Sequence, residues 1–378
     1  MSMENRILID RFAVKNYRSI KKCDVQLGPL TFLVGTNGSG KTSFVDAMLF
    51  VSSALSDSLQ KATSNRGGIR SLLHRPEVLP RHLTFDFSIS SNSGFRCKYL
   101  LELHVSDDWS VTVSREECRI EQSDGLQHSY LVKDGMVTGT AAIFPAVSTD
   151  RVFLSNASGL PEFRLIFEFL SGLRATEPAT PTAHIFLQRW STVSEGNTLA
   201  RRFQTLIQHR PDRLQIIEDY LRAIAPPFEK VEVFEADNRL WLRFIEASSH
   251  GSAIPFHLSQ SSAGLIHSAD ILLDLFEPPL PGRPASVVII EEPEAFLHPG
   301  AIRVLLDSFN EASALCQVVV TTHSPELLDD QTVSEEWIRS VSRDDQGSHI
   351  DPLESSTKLI IQDRLYTPGQ LLRQGGLH

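Results

Sequence analysis

Cysteine is scarce and scattered in this sequence: Cys23, Cys97, Cys118 and Cys316 are the only four in 378 residues, and no two form a C-x-x-C pair. That spacing excludes a disulfide framework and a zinc ribbon, and it is expected of reduced thiols in a cytoplasmic protein. Long hydrophobic runs are missing, and with them any stretch of the roughly 20 apolar residues that cross a bilayer. No secretory leader pattern opens the chain either. A cytoplasmic protein with no membrane association is therefore expected. Positive charge is in deficit, with 36 Lys and Arg against 46 Asp and Glu for a formal net charge of −10. Such a surface does not coat itself with nucleic acid, although a local basic groove is compatible with an acidic total. There is no internal repeat, and the one biased tract is a short Pro/Thr/Ala linker at residues 175–183.

What remains is the composition of an ordinary globular protein, 41% hydrophobic and 22% charged, long enough for two packed units or one large α/β domain with an insertion. One stretch carries specific chemistry. Gly35-Thr36-Asn37-Gly38-Ser39-Gly40-Lys41-Thr42 fits G-x-x-x-x-G-K-[ST], with an apolar run before it and helical apolar spacing after it. Gly35, Gly38 and Gly40 let successive backbone N–H groups turn inward around phosphate oxygens. Lys41 would reach the β and γ phosphates and Thr42 would offer its hydroxyl to Mg2+, while the following helix aims its positive end at the anion. Gly35, Asn37, Gly38, Ser39, Gly40, Lys41, Thr42 and Ser43 are thus the candidate nucleotide-binding residues.

Before this loop, residues 7–14 and 24–27 read as strands joined by Asn16-Tyr17-Arg18-Ser19-Ile20. After the first helix come Arg66-Gly67-Gly68 and three runs, 83–89, 97–105 and 109–113, that alternate as antiparallel strands do. Helical spacing follows at 163–173, and paired helices are expected at 197–208 and 212–223, separated by Pro211. A hairpin around Asp237-Asn238 and alternating strands and helices from 265 to 321 point to a parallel sheet covered on both faces. The expected division is an ATPase lobe at 1–154, a helical insertion at 155–227 and a second ATPase lobe at 228–378. Arg201, Arg202, Arg210 and Arg213, like Lys15, Arg18, Lys21 and Lys22, read first as solvated helix or loop faces. The first group is also the candidate contact for DNA.

The second half adds polar residues at strand ends. Val287 to Ile290 is a buried strand that ends in Glu291 and Glu292, where open α/β sheets bind ligands. Glu291 would hold Mg2+ or its waters, and Glu292 would orient and deprotonate an attacking water. A second strand ends in Thr322-His323-Ser324-Pro325, with His323 placed to contact a γ-phosphate. Ser262 and Gly264 lie at the start of a helix that would present a further phosphate-binding end.

These elements, in this order, resemble the ABC-type ATPase heads of the RecF and SMC kind, in particular the compact AAA-family ATPases of bacterial genome-maintenance and anti-phage defence operons. The resemblance covers most of the chain and is carried above all by Glu291-Glu292-Pro293-Glu294-Ala295-Phe296-Leu297-His298-Pro299, with Ser262-Ala263-Gly264 and the closing Leu365-Tyr366-Thr367-Pro368-Gly369. It implies a P-loop NTPase of ABC-ATPase type, with mixed β sheets, flanking helices and a helical insertion. Lys41 and Thr42 become the Walker A ligands, Glu291 and Glu292 the Walker B pair, and His323 the switch histidine, so Glu292, His323 and Lys41 are the catalytic candidates and Thr42 and Glu291 the metal ligands. ATP and Mg2+ are the implied cofactors. The implied assembly is a head-to-tail homodimer with two composite sites, in which ATP is sandwiched against the other subunit's signature turn.

This chain departs from the family pattern in three places. Glu291 stands where most relatives have Asp, the full L-S-G-G-Q signature is replaced by a turn in which Ser259 and Ser262 are both candidates, and no glutamine loop is identifiable. The expected function is an ATPase whose ATP-driven dimerisation controls nucleic acid, DNA or RNA, or a separately encoded effector such as a nuclease or toxin, in anti-phage defence or DNA maintenance. The alternative is an ATP-gated scaffold or sensor with little turnover.

Overall fold

A computed structural model describes residues 6–74, 80–177, 199–247, 253–277, 287–330 and 332–377. The strands in chain order are β1 Ile7–Tyr17, β2 Ile20–Gln26, β3 Leu30–Val34, β4 His82–Ser91, β5 Arg96–Val105, β6 Val111–Glu121, β7 Gln127–Lys133, β8 Met136–Gly139, β9 Arg174–Thr176, β10 Phe228–Ala236, β11 Arg239–Ala247, β12 Ala253–His257, β13 Val287–Glu291, β14 Gln317–Thr322, β15 Ile338–Asp344 and β16 Gly347–Pro352. They form three sheets, ordered β2-β1-β4-β5-β6-β7-β8, β10-β11-β12 and β16-β15-β3-β14-β13-β9. The first two are antiparallel; the third is parallel from β9 to β15, with β16 as an antiparallel edge.

The near-continuous apolar strands have a physical reason. In β3, β13 and β14 every residue is buried. Alternate residues enter two different cores: Leu33, Val287, Ile289 and Val319 pack with the helix Lys41–Ser56 and the seven-stranded sheet. Phe32, Val34, Val288, Ile290, Val318 and Val320 pack with the helices Leu199–His209, Pro211–Ile224, Ala263–Phe276 and Pro299–Ala312. Each such side chain contributes about 1.5–3 kcal/mol of burial, so both faces favour Val and Ile and the period-2 alternation of a half-wet strand disappears.

Several expectations shift. Residues 174–176, the last two of them in the expected linker, form edge strand β9 beside β13; residues 178–183 of that linker lie outside the described residues. Pro211 does not separate two helices but opens the second at its first turn, where its missing N–H costs nothing. β6 runs on to Glu121, and β7 and β8 follow it. The hairpin at Asp237-Asn238 does form, with both residues at positive φ (52° and 58°), as a two-residue turn matched to strand twist requires.

Candidate functional site

Strand register assembles the site. Glu291 pairs with Thr321, and Thr321 with Leu33, while Thr322 pairs with Val34. The residues that follow, Glu292, His323 and Gly35, therefore leave the sheet together at the carboxyl ends of three adjacent parallel strands.

From Val34 the chain enters the loop Gly35–Gly40 and then the helix Lys41–Ser56. Gly38 and Gly40 have φ of 78° and 118°, a region that L side chains avoid. A Cβ on Gly35 would come within 2.1 Å of the Val341 carbonyl, and one on Gly40 within 2.2 Å of Ser348 Oγ. Lys41 folds back and donates to the carbonyls of Gly35 (2.7 Å) and Thr36 (3.0 Å). Burial lowers its pKa, while Glu292, Glu294 and Glu291 act in the opposite direction. Asn37 and Thr42 are exposed, and Ser43 accepts from Ser19, which accepts from Ser348.

Thr42 Oγ1 donates to Glu291 Oε2 at 2.8 Å, so the hydroxyl that follows the phosphate loop and the carboxylate at the end of β13 meet directly across 249 residues of sequence. Burial pushes Glu291 up to about 7, against the Thr42 hydrogen bond that lowers it. Glu292 leaves the strand at φ 45° and stands 3.4 Å from His323 Nδ1.

These residues fit a nucleotide with Mg2+. Ser39 Oγ is buried in the loop without a hydrogen-bond partner among the described residues, Gly35 and Gly40 leave no room for a Cβ, and Lys41 presents an ammonium to the cradle. Thr42 and Glu291 supply hard oxygen donors. Mg2+ is usually held by one or two carboxylates together with phosphates and water, which is compatible with no group of three or more metal-binding side chains among the described residues.

Ser262 and Gly264 are placed differently. Ser262 caps the helix Ala263–Phe276 by accepting from Leu265 N at 3.2 Å. A Cβ on Gly264 would lie 2.6 Å from the Phe296 carbonyl and 3.2 Å from Leu297. This turn packs on the loop that follows Glu292.

Three residues of the site were missed. Asp46 gathers Tyr17 (2.6 Å), Arg18 (3.0 Å) and Arg66 (2.8 Å), so Asn16-Tyr17-Arg18-Ser19-Ile20 and Arg66-Gly67-Gly68 brace the phosphate-loop helix. Its signal was its place one turn after Thr42. Glu294 was visible within the acidic run, whereas nothing local marks Ser348.

One member of the basic group, Arg202, is not on a solvated face. Arg202 is buried and pairs with Asp270 (3.4 Å), Asp274 (2.7 Å) and Glu277 (2.8 Å), and Asp274 also accepts from Thr176 of β9. Arg210 and Arg213 both face Asp212. Arg202 is thus a structural tie between the helices Leu199–His209 and Ala263–Phe276, the second of which reaches β9 through Asp274, not a contact for DNA.

Fold and site together define a P-loop ATPase head of the ABC type, similar to RecF and SMC heads. The chain belongs to the family described as "AAA domain, putative AbiEii toxin, Type IV TA system", which matches residues 30–329. It is 24% identical over 344 residues to the OLD nuclease of Thermus scotoductus, covering 85% of this chain and 60% of that protein. It therefore spans only part of that relative's length. A 41-residue stretch is 46% identical to the DNA replication and repair protein RecF of Vibrio vulnificus, 11% of either chain. Among solved structures, an SMC head bound to the C-winged helix domain of ScpA matches 93% of this chain and 99% of its own with a TM-score of 0.54 at 15% identity. The Smc head with an extended coiled coil, bound to the C-terminal domain of ScpA from Pyrococcus furiosus, matches with 0.50 at 14%, covering 95% and 99%. No helix among the described residues is long and apolar enough to cross a membrane.

Proposed function

We propose that this protein binds ATP with Mg2+ at Gly35–Ser43 and hydrolyses it, with Lys41 on the phosphates, Thr42 and Glu291 on the metal, Glu292 as general base and His323 at the γ-phosphate. The observation that carries the reading is the 2.8 Å contact between Thr42 and Glu291, which brings the phosphate loop and the acidic strand into one site. Mg2+, when bound, supplies charge neutralisation to the phosphates. Glu292 is held at the strand end, where it can accept a proton from water, and His323 beside it can donate to an oxyanion.

Ser262 caps the helix Ala263–Phe276, and Gly264 lies against Phe296 and Leu297, so the N-terminus of this helix is presented beside the loop that follows Glu292. That supports a head-to-tail homodimer in which this turn serves the other copy's nucleotide. ATP-driven closure would then act on nucleic acid or on a separate effector, in anti-phage defence or DNA maintenance. The OLD nuclease likeness favours a second reading, an ATP-gated scaffold for a nuclease or toxin, with slow turnover.

A Glu292→Gln protein is expected to bind ATP, to remain dimeric by sedimentation and to lose phosphate release by about 100-fold or more. Native turnover in that variant would sink the assignment, and copurification of a second protein with the ATP-bound form would support the scaffold reading.

A further inference from the structure

Glu294 has no role in the mechanism above, yet it bonds both residues at the end of β14, Thr322 and His323. Its Oε1 accepts the Thr322 hydroxyl at 2.7 Å and the His323 N–H at 3.2 Å, and lies 3.6 Å from His323 Nδ1. Its other oxygen is buried without a hydrogen-bond partner among the described residues, on a side chain 10% exposed.

Burying a carboxylate that uses one oxygen is costly, and a neutral acceptor would tie the strand end at less expense. The loop it anchors is also strained. Glu292 and Phe296 sit at φ 45° and 66°, conformations that persist only where the surroundings over-determine them. Two ties hold this loop to the end of β14: Glu292 N donates to the Thr321 carbonyl at 2.9 Å, and the Glu294 side chain holds Thr322 and His323. Two residues further on, the Phe296 carbonyl abuts Gly264.

We propose that Glu294 is a positioning residue that couples His323 to the loop bearing Glu292 and, through Phe296, to the Ser262–Gly264 turn. This rests on the hydrolytic reading above. Glu294 touches no substrate in the proposal; it fixes where His323 and Glu292 stand relative to each other.

The test compares steady-state phosphate release and binding of a fluorescent ATP analogue in Glu294→Ala, Glu294→Gln, His323→Ala and the Glu294→Ala/His323→Ala double variant. Misplacing a catalytic group costs turnover more than binding, so Glu294→Ala is expected to lower kcat about tenfold or more. Its Kd for the analogue should stay within about twofold. Glu294→Gln keeps an acceptor for Thr322 and the His323 N–H but loses the charge beside His323 Nδ1, and should recover only part of the loss. Because Glu294 acts through His323, the double variant should be no slower than His323→Ala alone. Native turnover in Glu294→Ala overturns the proposal, and so does a double variant whose loss is the product of the two single losses. Should Glu294→Ala fail to fold, Glu294→Leu keeps the bulk while removing the acceptor for both Thr322 and His323, and native turnover there is equally fatal. Glu292→Gln in the same assay separates the two levels: if it still turns over, the hydrolytic assignment itself has failed. If it is silent while Glu294→Ala is native, only the coupling has.

Discussion

The length of the acid at position 291 is where this site departs from what its resemblance leads one to expect, and Glu291→Asp tests whether the departure matters. Glu291 Oε2 accepts the Thr42 hydroxyl at 2.8 Å from the end of a strand whose residues are all buried. Pairing of Glu291 with Thr321 and of Ile290 with Val320 leaves the backbone no freedom to advance. Asp withdraws the carboxylate by one C–C bond, about 1.5 Å, which takes the contact out of hydrogen-bond range. A hydrogen bond to a charged group is worth about 1.5–3 kcal/mol, and Mg2+ tolerates little spread in its ligand distances. The Mg2+ concentration that half-saturates phosphate release should therefore rise about tenfold to a hundredfold. Titrating free Mg2+ at saturating ATP measures this, and analogue binding in EDTA controls for the phosphate loop, which should be unaffected. An Asp protein with the native Mg2+ dependence would show that Glu291 does not hold the metal and that its bond to Thr42 is only structural.

Two further outcomes follow from the buried charges. Arg202→Met leaves Asp270, Asp274 and Glu277 without their shared cation, and breaking a buried pair in this way costs about 3–5 kcal/mol. Urea denaturation should show that loss, and an unchanged midpoint with weakened oligonucleotide binding would restore Arg202 as a nucleic-acid contact. Glu116 accepts from Tyr99 (3.2 Å), Tyr130 (2.7 Å), Phe153 N and Leu154 N (2.7 Å), and burial nevertheless pushes it up to about 7 from an unfolded value of 4.5. The folded chain thus holds this proton more tightly than the unfolded chain. Stability should fall as pH rises from about 4.5 to about 7 and level off above, by about 3 kcal/mol in all. In Glu116→Gln this component of the pH dependence should vanish, although the amide opposes Phe153 N and lowers stability throughout; a pH slope identical to the native one would refute the assignment.

Most of the site was legible because its chemistry is local. A phosphate loop needs Gly35, Gly38, Gly40 and Lys41 at fixed spacing, and two acids after four consecutive apolar residues mark the end of a buried strand. The rest depended on contacts between distant segments. β9 has three residues, and nothing in Arg174-Ala175-Thr176 distinguishes a strand from a linker; its place is fixed by β13 alongside and by Thr176 bonding to Asp274. Arg202 read as exposed because a helical Arg usually is, and the acids that surround it come roughly seventy residues later in the chain. Tyr17, Arg18 and Arg66 could be matched to a family pattern, but their shared target on the phosphate-loop helix could not be seen without the fold.

Hydrophobicity alone does not set the register that builds this site. In an ordinary half-buried strand, a one-residue slip moves the apolar side chains into water and is prevented by that cost. Here Val287, Ile289 and Val319 face one core, and Val288, Ile290, Val318 and Val320 face the other, so a slipped β13 would still bury only apolar residues in its middle. The penalty falls instead on the polar ends. A slip would take Glu291 from Thr42 and carry a carboxylate past the sheet edge into one of the cores, where an unpaired charge costs several kcal/mol. The groups that would perform the chemistry therefore also fix the alignment of the strands that carry them, and substitutions at Glu291 or Thr42 should be read for strand register as well as for metal binding.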